Sequence, residues 1–252
     1  MYRRTHSLGF AALLLAGMAG CGGGGSDAGT PNPGTTASAE GLWIGSTATN
    51  RTITGLVLSD GTYYVLYSAA GNPSFIAGIV QGSGTSSGAT FSSGNARDFN
   101  LEGAGVMPAT VSASVVEKQS FNGSISYGSG GSTSFTSNYD ATYEATPSLA
   151  AVAGTFTGQV ALSAGVHNAT VTVSAGGAIA GSGNGCAMTG TATPRTDGNA
   201  FNLTITFGAA PCFFANQSLN GVAYFDTSTK RLYAAAPDAS RTDGVLFVGV
   251  KP

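Results

Sequence analysis

The segment from Phe201 to Phe207 alternates strictly between apolar and polar side chains. Phenylalanine, leucine or isoleucine stands at every second position, with asparagine or threonine between them. Because neighbouring side chains on a β-strand point to opposite faces, this pattern predicts a strand with one face in a core and the other in water. Shorter segments of the same kind recur along the chain, so we expect a protein built almost entirely of β-strands.

Residue pairs that favour tight turns separate many of these segments. Asp60-Gly61, Gly176-Gly177 and Asp197-Gly198 each lie between two β-rich segments. Such pairs accept the positive φ angles that two-residue hairpin turns require. The chain has 39 glycines in 252 residues, about twice the usual share, which also indicates many short strands and many turns.

The sequence pattern restarts after Pro147-Ser148, which indicates an internal repeat. Three pairs of short segments match in the same order in both halves. They are residues 41–45 with 154–158, residues 95–101 with 199–203, and residues 119–123 with 217–221. The first half is longer, and its extra length lies near residues 82–94.

Each half therefore holds about eight candidate strands in roughly 100 residues. Eight antiparallel strands can close into a barrel, and closure removes exposed sheet edges. We predict an all-β fold of two tandem small antiparallel barrels, or meander modules, over residues 41–147 and 148–252. Two sandwiches, or a single larger barrel, are the alternatives.

The amino-terminal segment has the order of a secretory signal peptide. Arg3 and Arg4 precede a short apolar run, small residues follow the run, and Cys21 comes next. The apolar run is too short to cross a hydrocarbon core about 30 Å thick. We therefore expect residues 1–20 to be a signal peptide that is removed.

Residues 18–21, Met-Ala-Gly-Cys, resemble the lipobox of bacterial lipoproteins. The resemblance implies cleavage before Cys21, a diacylglyceryl group on its sulfur and an acyl chain such as palmitate on its amino group. Gly22 stands where an aspartate favours retention at the inner membrane, so the resemblance implies a cell-envelope protein anchored at the outer membrane. Residues 21–40 are rich in Gly, Ser, Thr and Pro, which predicts a flexible tether.

The charge of the mature chain bears on which partners it can bind. Removal of Arg3 and Arg4 leaves eight basic residues against 12 acidic ones, a net charge of −4. The sequence has no cluster of basic residues, so we expect no nucleic-acid partner.

With Cys21 assigned to lipid, Cys186 and Cys212 remain as a pair, and in an exported chain such a pair predicts a disulfide.

The sequence offers no recognisable catalytic or metal-binding motif. Residues 84–88 fit the pattern Gly-x-Ser-x-Gly, but they lie in a Gly/Ser-rich segment instead of between a strand and a helix. His167 is the only histidine left after the signal peptide. We expect no enzyme, no metal and no cofactor. A pair of carboxylates of the glycosidase kind stays open, because such pairs form only in the fold.

Aromatic residues supply the candidate binding residues. Trp43, Tyr63 and Tyr67 either fill the core of the first barrel or line a cup or contact surface. Phe213 and Phe214 follow Cys212 on a predicted loop. They either protrude as a contact or plug one end of the second barrel.

The sequence thus predicts a membrane-anchored, non-enzymatic binding or interaction module whose partner is a protein, a glycan or a small apolar ligand. The layout is similar to that of the transferrin-binding and complement-factor-binding surface lipoproteins of Gram-negative bacteria. This similarity is in layout only and implies none of their ligands. Residues 41–43, Gly-Leu-Trp, are similar to the Gly-x-Trp signature of lipocalins, which gives the alternative of a carrier for a small apolar ligand. A structural envelope protein is the third hypothesis.

Overall fold

A computed structural model describes residues 36–252 as two closed antiparallel β-barrels in tandem, which confirms the predicted fold class. The strands of barrel 1 are β1 Gly41–Thr47, β2 Thr52–Val57, β3 Thr62–Ala69, β4 Asn72–Ser83, β5 Thr85–Ser87, β6 Thr90–Asn100, β7 Gly105–Val116, β8 Ser120–Tyr127 and β9 Ser132–Tyr139. The strands of barrel 2 are β10 Gly154–Leu162, β11 Gly165–Val173, β12 Ala178–Gly183, β13 Cys186–Pro194, β14 Phe201–Phe207, β15 Ser218–Asp226, β16 Arg231–Pro237 and β17 Gly244–Val250.

Eight strands close each barrel, and barrel 1 carries one additional short strand. In barrel 1, β1 pairs with β9, and β4 pairs directly with β6. The short β5 pairs only with the first residues of β6 and lengthens that hairpin. In barrel 2, consecutive strands pair throughout, and β10 pairs with β17 to complete the circle. The extra length expected near residues 82–94 is therefore this hairpin extension.

The first strands of the two barrels are equivalent. Gly45 of β1 and Gly158 of β10 each face the closing strand so closely that an added Cβ would lie 2.0 Å from a backbone oxygen, of Thr136 and Val248 respectively. The matching segments 119–123 and 217–221 do not lie on equivalent strands of the two barrels. They fall on β8, the seventh strand of barrel 1, and on β15, the sixth strand of barrel 2.

Two short helical turns connect the barrels. The Asp140 side chain accepts a hydrogen bond from the Thr142 backbone amide and starts a 3-10 helix over Ala141–Glu144. Ser148 caps α1, Leu149–Val152, in the same way. The break expected at Pro147-Ser148 lies in this connection. No helix within residues 36–252 has the length and apolarity needed to span a lipid bilayer.

A large apolar contact joins the outer walls of the two barrels. Two clusters of buried side chains from both barrels form it: Leu42, Leu56, Leu58, Tyr143, Ala200, Val222 and Tyr224, and Ile76, Ile79, Phe99, Ala161, Ala235 and Leu246. At its margin, the Arg241 guanidinium donates hydrogen bonds to the backbone oxygens of Gln81 and Asn95, at 2.7 and 2.8 Å. Several strands of barrel 1 are therefore covered on their outer face as well as on their inner face.

Candidate functional site

Barrel 1 encloses a cavity of about 280 Å³, which we call the chamber. Val65 lies in the middle of β3 and borders the chamber, yet it is only half-buried. Solvent therefore reaches the interior of barrel 1. The chamber combines a mostly apolar wall with a few polar side chains, and it is several times larger than the apolar cavity inside barrel 2, which makes it the candidate functional site.

Glycines opposite two tyrosines shape the wall of the chamber. Tyr63 pairs across strands with Gly82, and Tyr67 pairs with Gly78. A Cβ on Gly82 or Gly78 would lie 2.5 or 2.3 Å from the facing tyrosine hydroxyl, so only glycine leaves room for each ring to lie against the sheet. A third glycine, Gly55, also lines the chamber, and a Cβ there would make only ordinary van der Waals contacts, the nearest at 3.4 Å. The tyrosines thus lie along the wall, and the centre stays empty.

Four polar side chains form a hydrogen-bonded group in the chamber wall, which we call the polar belt. Asp98 is 2% exposed and accepts hydrogen bonds from the hydroxyls of Tyr67, at 2.7 Å, and Tyr127, at 2.8 Å. Asn100 donates to the Tyr67 hydroxyl at 3.2 Å. Tyr67 and Tyr127 lie on β3 and β8, on opposite sides of β6, so the belt crosses from one wall to the other.

Burial controls the ionisation of the belt. Removal from water raises the pKa of Asp98, because it disfavours the charged carboxylate. The hydrogen bonds from Tyr67 and Tyr127 oppose this shift in the pKa of Asp98. Burial, together with the neighbouring Asp98 charge, also raises the pKa of Tyr67 and of Tyr127, so both phenols stay protonated. The belt therefore presents one buried carboxyl group between two neutral hydroxyls.

An ion pair lies at the open end of barrel 1. Arg51, between β1 and β2, contacts Glu102, between β6 and β7, at 2.7 Å, and their side chains are 23% and 34% exposed. Arg51 also donates to the Ser68 backbone oxygen at 3.0 Å and lies over the Tyr67 ring, 5.5 Å from its centroid. Glu102 raises the pKa of Arg51 by hydrogen bonding and charge. The pair thus joins two loops at the entrance.

The other end of barrel 1 is closed by aromatic rings and by the chain itself. Trp43, Phe91 and Phe121 are all at most 5% exposed there, and both Trp43 and Phe91 have ring centroids 5.4 Å from that of Phe121. Residues 36–40, which we call the strap, cross this end. The Ala37 amide donates to the Gly88 oxygen at 2.8 Å, and the Trp43 indole donates to the Ala39 oxygen at 2.9 Å. The described chain therefore enters at the closed end, away from the entrance of the chamber.

Barrel 2 has the same strand count but a filled interior. Its cavity is about 50 Å³ and is lined entirely by apolar side chains. At one end, Phe214 is 5% exposed and packs against Phe207, with ring centroids 5.6 Å apart. The disulfide between Cys186 and Cys212, which confirms the predicted pairing, holds the loop that carries Phe214. At the other end, Val152 of α1 is 2% exposed and packs into the core.

The structure separates the predicted binding aromatics into two groups. Trp43, Tyr63 and Tyr67 all border the chamber. Phe214 fills one end of barrel 2, while its neighbour Phe213 is 50% exposed on the same loop. Cys21, the predicted lipidation site, lies outside the described residues.

Sequence reasoning missed the polar belt and the entrance pair. Asp98 stands between Arg97 and Phe99, and the alternation alone does not show which of these side chains faces the barrel interior. In the structure, Phe99 packs against barrel 2, and Asp98 faces the chamber. The useful signal would have been the two inward polar positions at the end of β6, Asp98 and Asn100, and these are recognisable as inward only once the register is known.

The remaining chemical motifs do not form a catalytic arrangement with one another. Ser86, the serine of residues 84–88, lies in the β5 hairpin of barrel 1, and His167 lies in β11 of barrel 2. Within residues 36–252, no group of three or more His, Cys, Asp or Glu side chains is arranged to hold a metal ion.

No protein-family model matches the chain, and no curated protein matches it significantly.

Proposed function

We propose that this chain is a lipid-anchored, non-enzymatic binding protein of the bacterial cell envelope, and that barrel 1 carries a small, largely apolar ligand. The observation that carries the proposal is the contrast between the chamber of about 280 Å³ in barrel 1 and the filled interior of barrel 2. Small-molecule sites are concave and mostly apolar, with a few placed polar groups. Apolar walls and one polar belt fit that description.

The proposed anchor is compatible with access to the chamber. The strap lies at the closed end of barrel 1, and the Arg51–Glu102 pair lies at the open end. A lipid on Cys21, joined through the predicted tether, would leave the entrance unobstructed. The lipobox resemblance and Gly22 favour the outer membrane.

Fluorescence binding tests the carrier proposal. The mature chain, exported behind a signal that leaves no lipid, should bind the neutral probe N-phenylnaphthylamine, and native mass spectrometry should show any co-purifying molecule. Gly55→Phe places a ring in the chamber without a backbone clash, because the Cβ contacts are ordinary ones of at least 3.4 Å. We expect this variant to lose binding by about tenfold or more.

The matched control is Gly94→Phe, since a Cβ at Gly94 meets nothing within 4 Å and the position is exposed. This variant should bind the probe like the wild type. Probe binding that survives Gly55→Phe, or a wild-type chain that binds no probe and carries no molecule, contradicts the proposal.

Metabolic labelling tests the anchor. Cells fed labelled palmitate should incorporate it into the wild-type protein but not into a Cys21→Ser variant. Protease treatment of intact cells then distinguishes a surface-facing protein, which is digested, from one facing the periplasm, which is protected. Equal labelling of both proteins would contradict lipidation at Cys21.

A contact with a protein or glycan is the second candidate function. Phe213 favours it, because its ring is 50% exposed on a loop held by the Cys186–Cys212 disulfide. Large aromatic side chains on ordered surfaces often dominate binding energy. Cells carrying a Phe213→Ser variant should then lose adhesion to the partner surface while the protein still binds N-phenylnaphthylamine.

A further inference from the structure

We infer that the ligand of barrel 1 carries a protonated amine, held at Asp98, on a compact apolar body. This inference rests on the proposed function, because it requires a ligand in the chamber. It follows from the hydrogen-bond and charge balance of the polar belt, the aromatic walls and the size of the chamber.

Asp98 is a buried acid whose direct partners are neutral. Among residues 36–252, its hydrogen-bond donors are the hydroxyls of Tyr67 and Tyr127. A buried carboxylate is costly unless a cation compensates for the lost hydration. The belt has no such cation within ion-pairing distance in the described part of the chain. A ligand cation would supply it.

The nearest guanidinium already has other partners. Arg51 contacts the Glu102 carboxylate at 2.7 Å and donates to the Ser68 oxygen at 3.0 Å. Arg51 and Glu102 together are neutral, so the ionised Asp98 leaves this end of the chamber with one net negative charge. That charge favours a cationic ligand over an anionic one.

The atoms of the polar belt that can still form hydrogen bonds are acceptors. The Tyr67 hydroxyl both donates to Asp98 and accepts from Asn100. The Tyr127 hydroxyl donates to Asp98 and has lone pairs that receive no hydrogen bond within residues 36–252. Each Asp98 oxygen accepts one hydrogen bond and has room for another. A ligand that donates hydrogen bonds fits this arrangement, and a carboxylate ligand does not.

Aromatic rings and the limited volume define the rest of the ligand. Trp43, Phe121 and Phe135 line the chamber together with Tyr67 and Tyr127. Ring faces attract cations and pack against apolar bodies. A volume of about 280 Å³ accommodates one or two fused rings or a short branched chain. The expected ligand is therefore a compact aromatic or alicyclic amine.

Three probes with the same naphthyl body and different head groups test the inference: naphthylmethylamine, naphthylmethanol and naphthoate. At neutral pH, displacement of N-phenylnaphthylamine by each probe gives the three dissociation constants. We expect the amine to bind about tenfold more tightly than the alcohol, and the naphthoate to bind most weakly, since a charge-assisted hydrogen bond is the stronger kind.

Three variants connect that preference to Asp98. Asp98→Asn should bind the amine and the alcohol equally while retaining N-phenylnaphthylamine. Tyr127→Phe keeps the carboxylate but removes one acceptor, so it should reduce the preference for the amine less than Asp98→Asn does. Asp60→Asn, an exposed turn position of barrel 1, is the matched control and should behave like the wild type.

The outcomes separate this inference from the proposed function. Equal binding of amine and alcohol by the wild type, or an amine preference that persists in Asp98→Asn, overturns the amine inference but leaves barrel 1 as a carrier. Failure of all four compounds to bind the wild type overturns the carrier proposal itself. Loss of N-phenylnaphthylamine binding in Asp98→Asn, with binding intact in Tyr127→Phe, would make Asp98 structural and would also overturn the amine inference.

Discussion

Barrel 1 and barrel 2 close their sheets with the same number of strands, but their interiors differ. The cavity of barrel 1 is about 280 Å³, and that of barrel 2 is about 50 Å³. In barrel 2, two elements outside the sheet pack into its ends: Phe214 of the disulfide loop and Val152 of α1. Barrel 1 has aromatic rings at one end and only an ion pair at the other. Sheet closure thus sets the outer shape, while loops and end residues determine whether the interior stays open.

The two interiors also differ in polarity. The described lining of the barrel 2 cavity has no polar side chain, whereas the chamber of barrel 1 includes Asp98, Asn100 and Arg51. A filled apolar core stabilises through burial and close packing. A chamber with a buried acid gives up part of that stabilisation. The proposed function therefore gives barrel 2 mainly a stabilising role and barrel 1 the binding role, and three experiments test this division.

The largest effect is expected for truncation of the filled core. Phe156 of barrel 2 is 0% exposed and packs against Phe225, with centroids 5.6 Å apart. Phe156→Ala should reduce the free energy of unfolding by about 3–5 kcal/mol, because it leaves a cavity in a packed core. Met107→Ala, at the half-buried edge of the chamber, should cost about 1 kcal/mol or less, because open space already lies beside it.

Urea unfolding of both variants measures this difference. Equal losses of stability would mean that barrel 1 depends on its interior packing as much as barrel 2 does, and the division of roles would be wrong.

Removal of the disulfide should have the next largest effect. The bond joins residues 26 positions apart, and a loop of that length contributes about 3 kcal/mol on the chain-entropy model. The double variant Cys186→Ala, Cys212→Ala should lose about this amount in urea unfolding. Fully reduced wild-type protein is the control and should unfold at the same urea concentration. A variant as stable as the oxidised wild type would show that packing of Phe214 alone holds the loop.

The smallest effect concerns the pH dependence of barrel 1. Burial raises the pKa of Asp98 in the folded state above that in the unfolded chain, so the folded state binds this proton more tightly. The stability that Asp98 contributes is therefore present at low pH and is lost as pH rises through its raised pKa. Arg51 opposes the rise in the pKa of Asp98, and Glu102 adds to it.

Asp98→Asn removes this titration. As pH rises, the unfolding free energy of the wild type minus that of the variant should fall. The total fall should be about 1.4 kcal/mol for each unit by which the pKa of Asp98 in the folded state exceeds that in the unfolded chain. Urea unfolding from acid to neutral pH measures it, with Asp60→Asn as the control. A difference that grows as pH rises would have the opposite sign and would mean that the hydrogen bonds to Asp98 outweigh its burial.

The strands could be predicted from the sequence because their signals are local. The alternation from Phe201 to Phe207 predicted β14, and the turns at Asp60-Gly61 and Gly176-Gly177 join the second and third strands of the two barrels in the same way. The sequence pattern also predicts a single strand over Ser134 to Ala145, and this prediction is wrong beyond Tyr139, because Asp140 caps a 3-10 helix there. A single capping side chain ended the strand, although the residues after it still alternate.

The chamber could not be predicted, because its determinants are distant along the chain. β6 is buried on both faces, with Asp98 toward the chamber and Phe99 toward barrel 2. An apolar–polar pattern cannot tell which of two buried faces is the interior. Whether a barrel is filled depends on Phe214 and Val152, which lie outside the strands that they plug. Trp43, Tyr63 and Tyr67 could be proposed as binding residues because they are aromatic. Asp98, which lies with them in the chamber wall, could not be identified from the sequence.

The strap gives barrel 1 a mechanical property. A pull on the chain before residue 36 would act first on two hydrogen bonds, from the Ala37 amide to Gly88 and from the Trp43 indole to Ala39. Both lie at the closed end of barrel 1, and Trp43 is part of the aromatic layer that seals it. Force along the chain would therefore peel the strap away and loosen the floor of the chamber before it reached the paired strands. If barrel 1 carries a ligand as proposed, tension on the chain would weaken the end of the barrel that retains it.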